Sequence, residues 1–533
     1  MMTETAGMPE FIAADGVTQE GFVGLCPGLR RLRRAAVLAP MHPQLRNALV
    51  VLAAGVLAVW VGISLAQEKH FIASVAALVS VWAVLAWTRG PLAEAWLLGF
   101  LVFGYVIGNR GFAQITPIAG LPLFLSELGL AVAVALVLLR GAQSRFLPVQ
   151  SDWLNGLLLL WLALGGSRIL WDVRQHGFMA LRDFATVYYV LYFFAAQALA
   201  RHAASHRLLR TTFLVTFAVL PIPGLLSHLF PDFFLHNLLV SGVPLIFYKG
   251  DLMSTFLFIS FLLLLPGERF TWRGLIPGRW LLALISLVFG LLLLSRASMV
   301  GLLVACGLIA CSGRWRPLGV IATVCATGLL AVFVVSFLQK KDFRDTRAYA
   351  IYEAAASIAD FSGTRDYQSD DSGNKGDNNR FRLVWWRNVA VETATTSPLF
   401  GLGFGADLAA GFVREYYPDS NDDFSARSPH NIFLTAFGRM GAAGVLVLLA
   451  VYTTLFFSTL RTARAARSDP TRQSALTLQA ACWVVLISAC FGVVLEGPMG
   501  AIPFWILLGL AHHEATRSSE SPNAPLPASA AAL

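Results

Sequence analysis

Runs of apolar residues recur from about residue 47 to residue 513, most of them close to the roughly 17–25 residues a helix needs to cross a bilayer. Nothing else in the chain constrains it as strongly. In lipid a backbone N–H or C=O has no water to bond, so a spanning segment must satisfy its own groups as a helix or close into a barrel. The runs here are continuous and lack the alternation of barrel strands. The expected fold is therefore all-α, a polytopic helical membrane protein with one large periplasmic loop. Composition agrees: 56% of the residues are hydrophobic and 13% are charged, where a soluble domain carries about 25% charged residues.

Candidate spans cover about 47–66, 71–87, 92–107, 121–139, 153–169, 184–200, 211–229, 252–266, 280–294, 297–312, 317–338, 431–460, 474–495 and 499–513. Pro221 and Pro223 interrupt the seventh, and several runs are short, which brackets the number of true spans between eleven and fourteen. The chain divides into a leader (1–45), an N-terminal multi-span region (46–338), a polar external loop (339–429), a C-terminal membrane region (430–513) and a Ser-, Pro- and Ala-rich tail (514–533) expected to be disordered. With the N-terminus placed in the cytoplasm and the spans alternating, the inner loops hold 21 Lys and Arg and the short outer loops hold 7. That bias follows the positive-inside rule. It puts both termini in the cytoplasm and the long loop outside.

The net charge of +9 does not point to nucleic acid, because the cations sit in short loops between spans rather than on a basic, aromatic-bearing surface. Six cysteines fall mostly in or beside apolar runs, with neither disulfide nor metal-ligand spacing. No GxSxG, HExxH, CxxC or Walker pattern occurs, so hydrolase, zinc-protease and ATPase readings lack support. Within the loop, 339–359 is expected to be helical, 360–379 a flexible polar stretch, and 380–396 a helix ending at Ser397-Pro398 before a turn at Gly401, Gly403 and Gly405.

Three groups at the outer border are candidates for chemistry. Arg296 lies in Ser295-Arg296-Ala297-Ser298, between two apolar runs; its plain reading is an arginine snorkelling at a helix end. Arg382 precedes Trp386 by four residues and so shares its helix face; its plain reading is a solvated cation. His430, in Ser428-Pro429-His430-Asn431, stands where the polar loop meets a span, and an interfacial histidine is common. Arg439 and Glu496 lie within or beside spans and are expected either to pair or, for Arg439, to snorkel. Taken together, two guanidinium groups suit a phosphate, and a histidine can take a proton from a sugar hydroxyl.

Three patches carry a resemblance: LLLLSRASMVGLLVACGL at 291–308, RLVWWRNVAVETATTSPLFGLGFG at 382–405, and SPHNIFLTAFGRMGAAGVLVLL at 428–449. A Ser-Arg opening a span, an Arg-x-x-x-Trp helix running to Pro-Leu-x-Gly-x-Gly, and His-Asn followed by Gly441 and Gly444 together resemble the O-antigen ligase and polymerase superfamily. The resemblance implies a metal-independent, cofactor-free glycosyl transfer at the periplasmic face of the inner membrane. Its donor would be a glycan on undecaprenyl diphosphate. The acceptor would be lipid A–core in a ligase, another lipid-linked glycan in a polymerase, or a Ser/Thr side chain in an O-oligosaccharyltransferase. On the same grounds Arg296 and Arg382 match diphosphate-binding arginines and His430 the catalytic histidine. The expected partners are that donor, the acceptor and membrane lipids. The spacing from His430 to Gly444 favours the ligase, with an O-antigen or exopolysaccharide polymerase next. A lipid-linked sugar transporter would instead place ionisable groups near the bilayer midplane, and a non-catalytic scaffold would have no use for His430.

Overall fold

The computed structural model describes residues 90–517, apart from 116–123, 145–148, 241, 266–277, 340–341, most of 347–369, 417–426 and 470–471. The two apolar runs expected before residue 90 lie outside the described residues. Each of the twelve that follow coincides with a helix.

In chain order these are α1 (Pro91–Ala113), α2 (Leu125–Ser144), α3 (Trp153–His176), α4 (Phe178–Ala200) and α5 (Ala203–Leu229). A short α6 (Pro231–His236) and a two-residue hairpin, Leu239–Val240 with Val243–Pro244, lead to α7 (Gly250–Leu264), α8 (Arg279–Leu292), α9 (Arg296–Ala310) and α10 (Arg316–Gln339). The polar loop supplies α11 (Asp370–Thr396) and α12 (Ala410–Tyr416), and the chain closes with α13 (Ile432–Ala465), α14 (Arg472–Ala489) and α15 (Pro498–Arg517). Among the described residues six helices are long and apolar enough to cross a membrane, and four more are shorter apolar helices. The protein is a multi-pass, all-α membrane protein.

Helix α11 begins at Asp370, so it takes in half of the stretch expected to be flexible. Gly373 and Gly376 argued against a helix there, at about 1 kcal/mol each, but propensity is a weak prior that an adjoining helix can override. Pro221 acts as expected, parting α5 into Ala203–Val219 and Pro221–Leu229.

Small residues let the helices meet closely, as membrane packing requires. Helix α9 lies along α14, and a side chain at Gly301 would stand 2.8 Å from the Val484 carbonyl oxygen. Helix α7 packs on both α8 and α14, and the end of α4 packs on α15. At the other extreme, α10 buries only 6% of its apolar window within the chain, against 67% for α1, so α10 is an outlying helix whose apolar surface lipid would cover.

Candidate active site

The border between loop and span is built by a break and a cap. Asn431 caps α13, its side-chain oxygen accepting from the Phe433 N–H (3.0 Å) and the Leu434 N–H (3.2 Å). His430 is thereby kept out of the helix, with φ at 55°. A non-glycine residue in the left-handed region costs about 1–2 kcal/mol, so its neighbours must hold it. Ser428 Oγ donates to Glu496 Oε1 at 2.5 Å, Trp386 Nε1 donates to the Pro429 carbonyl at 2.7 Å, and the Trp385 ring meets the imidazole edge-on with centroids 5.6 Å apart.

Helix α11 carries Arg382 and both tryptophans. Trp385 is fully buried, stacks on Phe412 and donates to the Leu408 carbonyl at 2.7 Å. That anchor fixes the helix rotation and leaves Arg382 half-buried. Among the described residues Arg382 has no ion-pair partner within 4.0 Å. Burial lowers its proton affinity, and Asp251 opposes the shift.

Arg296 is the first residue of α9, and the turn before it holds Leu294 at φ 54°. Both the Arg296 and the His430 segments are thus entered through a left-handed non-glycine residue, a conformation that clusters at functional sites. Behind Arg296 a ladder of hydroxyls ties three helices. Ser298 Oγ lies 2.8 Å from Ser295 Oγ and 2.9 Å from Thr255 Oγ1, and donates to the Asp251 carbonyl at 3.1 Å; Thr255 Oγ1 reaches Ser488 Oγ at 3.1 Å. The starts of α7 and α9 therefore adjoin. Lys249, the N-cap of α7, stands 3.7 Å from Asp251. The α14–α15 turn completes the junction: Phe491 meets Trp386 with ring centroids 6.5 Å apart, and a side chain at Gly492 would stand 3.4 Å from Asp251 Oδ2.

The electrostatics follow from this. Burial pushes the His430 imidazole down to about 4; Lys249 and Arg382 push the same way, and Asp251 opposes them. The imidazole is neutral at neutral pH and able to accept a proton. The surrounding cations favour an anionic ligand.

The glycines of two patches turn out to be one joint. Gly401 and Gly441 have φ of 74° and 65°; a side chain on Gly401 would strike Gly441 N at 2.6 Å, and one on Gly441 would strike Leu399 C, in the same turn as Gly401, at 2.3 Å. Helix α13 kinks at Gly441 to receive the turn, with Ala442 N–H donating to the Pro398 carbonyl and Leu402 N–H to the Gly438 carbonyl. Arg439 pairs with Asp183 at 2.7 Å and donates to the Gly403 carbonyl at 3.0 Å. Of the two expectations for Arg439 and Glu496, neither describes the contacts: Arg439 is buried on Asp183 and the turn, while Glu496 accepts from Ser428 and Thr435.

Sequence reasoning thus missed three residues and one contact. Lys249 registered only as a loop charge, and Asp251, Asp183 and the Ser428 contact of Glu496 left no pattern of spacing. Among the described residues no three His, Cys, Asp or Glu side chains converge as metal ligands would.

Residues 281–449 match the family model described as O-antigen ligase. No curated protein matches the chain. The matched segment contains Arg296, Arg382 and His430, and Lys249 lies outside it, 32 residues before its start.

Proposed function

The chain carries the domain of the O-antigen ligase superfamily across residues 281–449, and from that premise we propose that it transfers a glycan from undecaprenyl diphosphate to an acceptor hydroxyl at the periplasmic face of a bacterial inner membrane. The loop 339–429 faces the periplasm and both termini the cytoplasm, in keeping with the charge bias. The observation that carries the reading is the meeting of a neutral, strained histidine with cations from separate helices around Asp251.

His430 is the general base. It accepts the proton of the acceptor hydroxyl as that oxygen forms its bond to the anomeric carbon. The bond from the anomeric carbon to the diphosphate oxygen breaks on the opposite side, so the anomeric centre inverts and the lipid diphosphate leaves. Arg296 and Arg382 bind the diphosphate and stabilise the charge gathering on it. No metal is assigned a part. The preferred acceptor is lipid A–core. The test supplies the purified protein with a lipid-linked oligosaccharide and offers lipid A–core beside a second lipid-linked repeat. Transfer to lipid A–core supports the ligase, transfer to the repeat makes it a polymerase, and no turnover of either would sink the reading.

A further inference from the structure

We propose that Lys249 is a third cation for the donor's diphosphate, with Asp251 as the counter-ion it exchanges for phosphate. The inference rests on the donor reading above and deepens it. No pattern in the sequence singles out Lys249; its placement does.

Three observations carry it. The Lys249 side chain is 58% exposed, and its ammonium lies 3.7 Å from Asp251 Oδ2. That is an ion pair longer than a charge-assisted hydrogen bond, which runs at about 2.7–2.9 Å, and a partly solvated pair of this kind exchanges partners at little cost. Next, the Asp251 backbone is fixed to the start of α9. Its carbonyl, which also takes the Thr255 hydroxyl of its own helix at 2.8 Å, accepts from Ser298 Oγ of α9 at 3.1 Å, which seats Lys249 beside the helix turn that presents Arg296. Lastly, Lys249 and Arg382 act together on His430, both lowering its proton affinity, so the ammonium, the guanidinium and the imidazole share one electrostatic environment.

The division of labour follows from the side chains. A guanidinium grips two phosphate oxygens with a planar fork, whereas an ammonium on a four-carbon stem is a mobile point charge. Arg296 and Arg382, on helix starts and packed faces, would fix the diphosphate's orientation. Lys249 would follow the phosphate as the sugar leaves and negative charge grows on the oxygen that bridged them. Asp251 holds the ammonium near the site without neutralising it fully.

The experiment measures binding of farnesyl diphosphate to the full chain in nanodiscs, with inorganic diphosphate as a second probe. Lys249→Gln is expected to weaken farnesyl diphosphate binding about tenfold, as loss of one charge-assisted contact does, with Lys249→Arg recovering most of it. Asp251→Asn is expected to tighten binding about threefold by releasing the ammonium. Arg382→Gln serves as the control on the donor reading. Wild-type affinity in Lys249→Gln, with affinity lost in Arg382→Gln, overturns the role of Lys249 alone. Equal weakening by Lys249→Gln and Asp251→Asn makes the pair structural and also overturns it. Failure of the wild-type protein to bind farnesyl diphosphate overturns the donor reading and this inference with it. Inorganic diphosphate bound as tightly as the lipid form moves the site from a lipid-linked to a free diphosphate and overturns the proposal as stated.

Discussion

Two ends of the helical bundle hold half-buried or buried histidines, and His206 and His512 at one end are set differently from His430 at the other. At one end His512 Nε2 meets Asp152 Oδ2 at 3.0 Å, and His206 Nε2 meets Glu514 Oε1 at 3.1 Å, with Ser474 on the other Glu514 oxygen. Both of those imidazoles have a carboxylate, whereas His513, packed beside His206, has no hydrogen-bond partner for either ring nitrogen among the described residues. At Asp152 burial raises the pKa, but the bond and charge of His512, with the Asn155 bonds, outweigh it and leave the group lowered. At the other end His430 stands among Lys249 and Arg382, with Asp251 as the opposing charge. The lesson is that matched charge fastens helices together, here α3 and α5 to α15, whereas unmatched charge leaves a surplus for something else to satisfy.

The sharpest way to break this contrast is to remove each histidine in turn. A positioned base contributes about 10²–10⁴ in rate, so His430→Ala should lose transfer by about that factor while keeping donor affinity and thermal stability. Single-turnover transfer measured beside donor binding decides it. Unchanged transfer removes the base, and lost affinity with intact chemistry recasts His430 as a binding residue. The next effect concerns the fork. Arg382→Lys keeps the charge but gives up bidentate geometry, and the expected loss is about tenfold or more in kcat/KM with normal membrane insertion. Arg344→Ala, exposed and beyond the end of α10, should leave kcat/KM as it was. Equal tolerance at the two positions would return Arg382 to a solvated surface charge.

The contrast also explains what the sequence revealed. Each apolar run in the described region became a helix, because span length and backbone satisfaction in lipid are local properties of a run. The positions of Arg296, Arg382 and His430 could be read from neighbours in the sequence. Their connection could not. Asp251 lies 45 residues before Arg296 and 179 before His430, and the contacts that join them pass through Ser298 on α9 and through Phe491 and Gly492 in the α14–α15 turn. The same is true of Asp183, which nothing near Arg439 announces. The glycines illustrate both cases: their spacing was visible as a pattern, but its cause, the backbone contact between Gly401 and Gly441, exists only once α13 bends around the turn.

At the matched end the expected effect is on stability. His512 is buried, and its loss removes one hydrogen bond from the half-buried Asp152 carboxylate, which keeps its Asn155 bonds; a hydrogen bond to a charged group contributes about 1.5–3 kcal/mol. His512→Ala should therefore lower the detergent-solubilised unfolding midpoint while kcat/KM at 25 °C stays within about twofold. Loss of transfer at an unchanged midpoint would erase the distinction between the two ends.

The smallest effect is the most informative about His430. With the imidazole down at about 4 rather than its ordinary 6.5, the free enzyme keeps its base unprotonated well into acid. The acid limb of kcat/KM, which reports free enzyme, should therefore not fall through pH 6.5 on account of this residue. A bound diphosphate brings negative charge beside the same imidazole and offsets Lys249 and Arg382. Nearby opposite charge favours the protonated form, so the acid limb of kcat, which reports the complex, should lie at higher pH than that of kcat/KM. Arg382→Gln removes one of the repelling cations and should raise the free-enzyme limb in the same direction. Parallel profiles measured from pH 4.5 to 8, with the lipid-linked donor's own ionisation subtracted, would test this. Coincident limbs near 6.5 would mean that the cations do not act on His430, and the grouping of the site would fail with them.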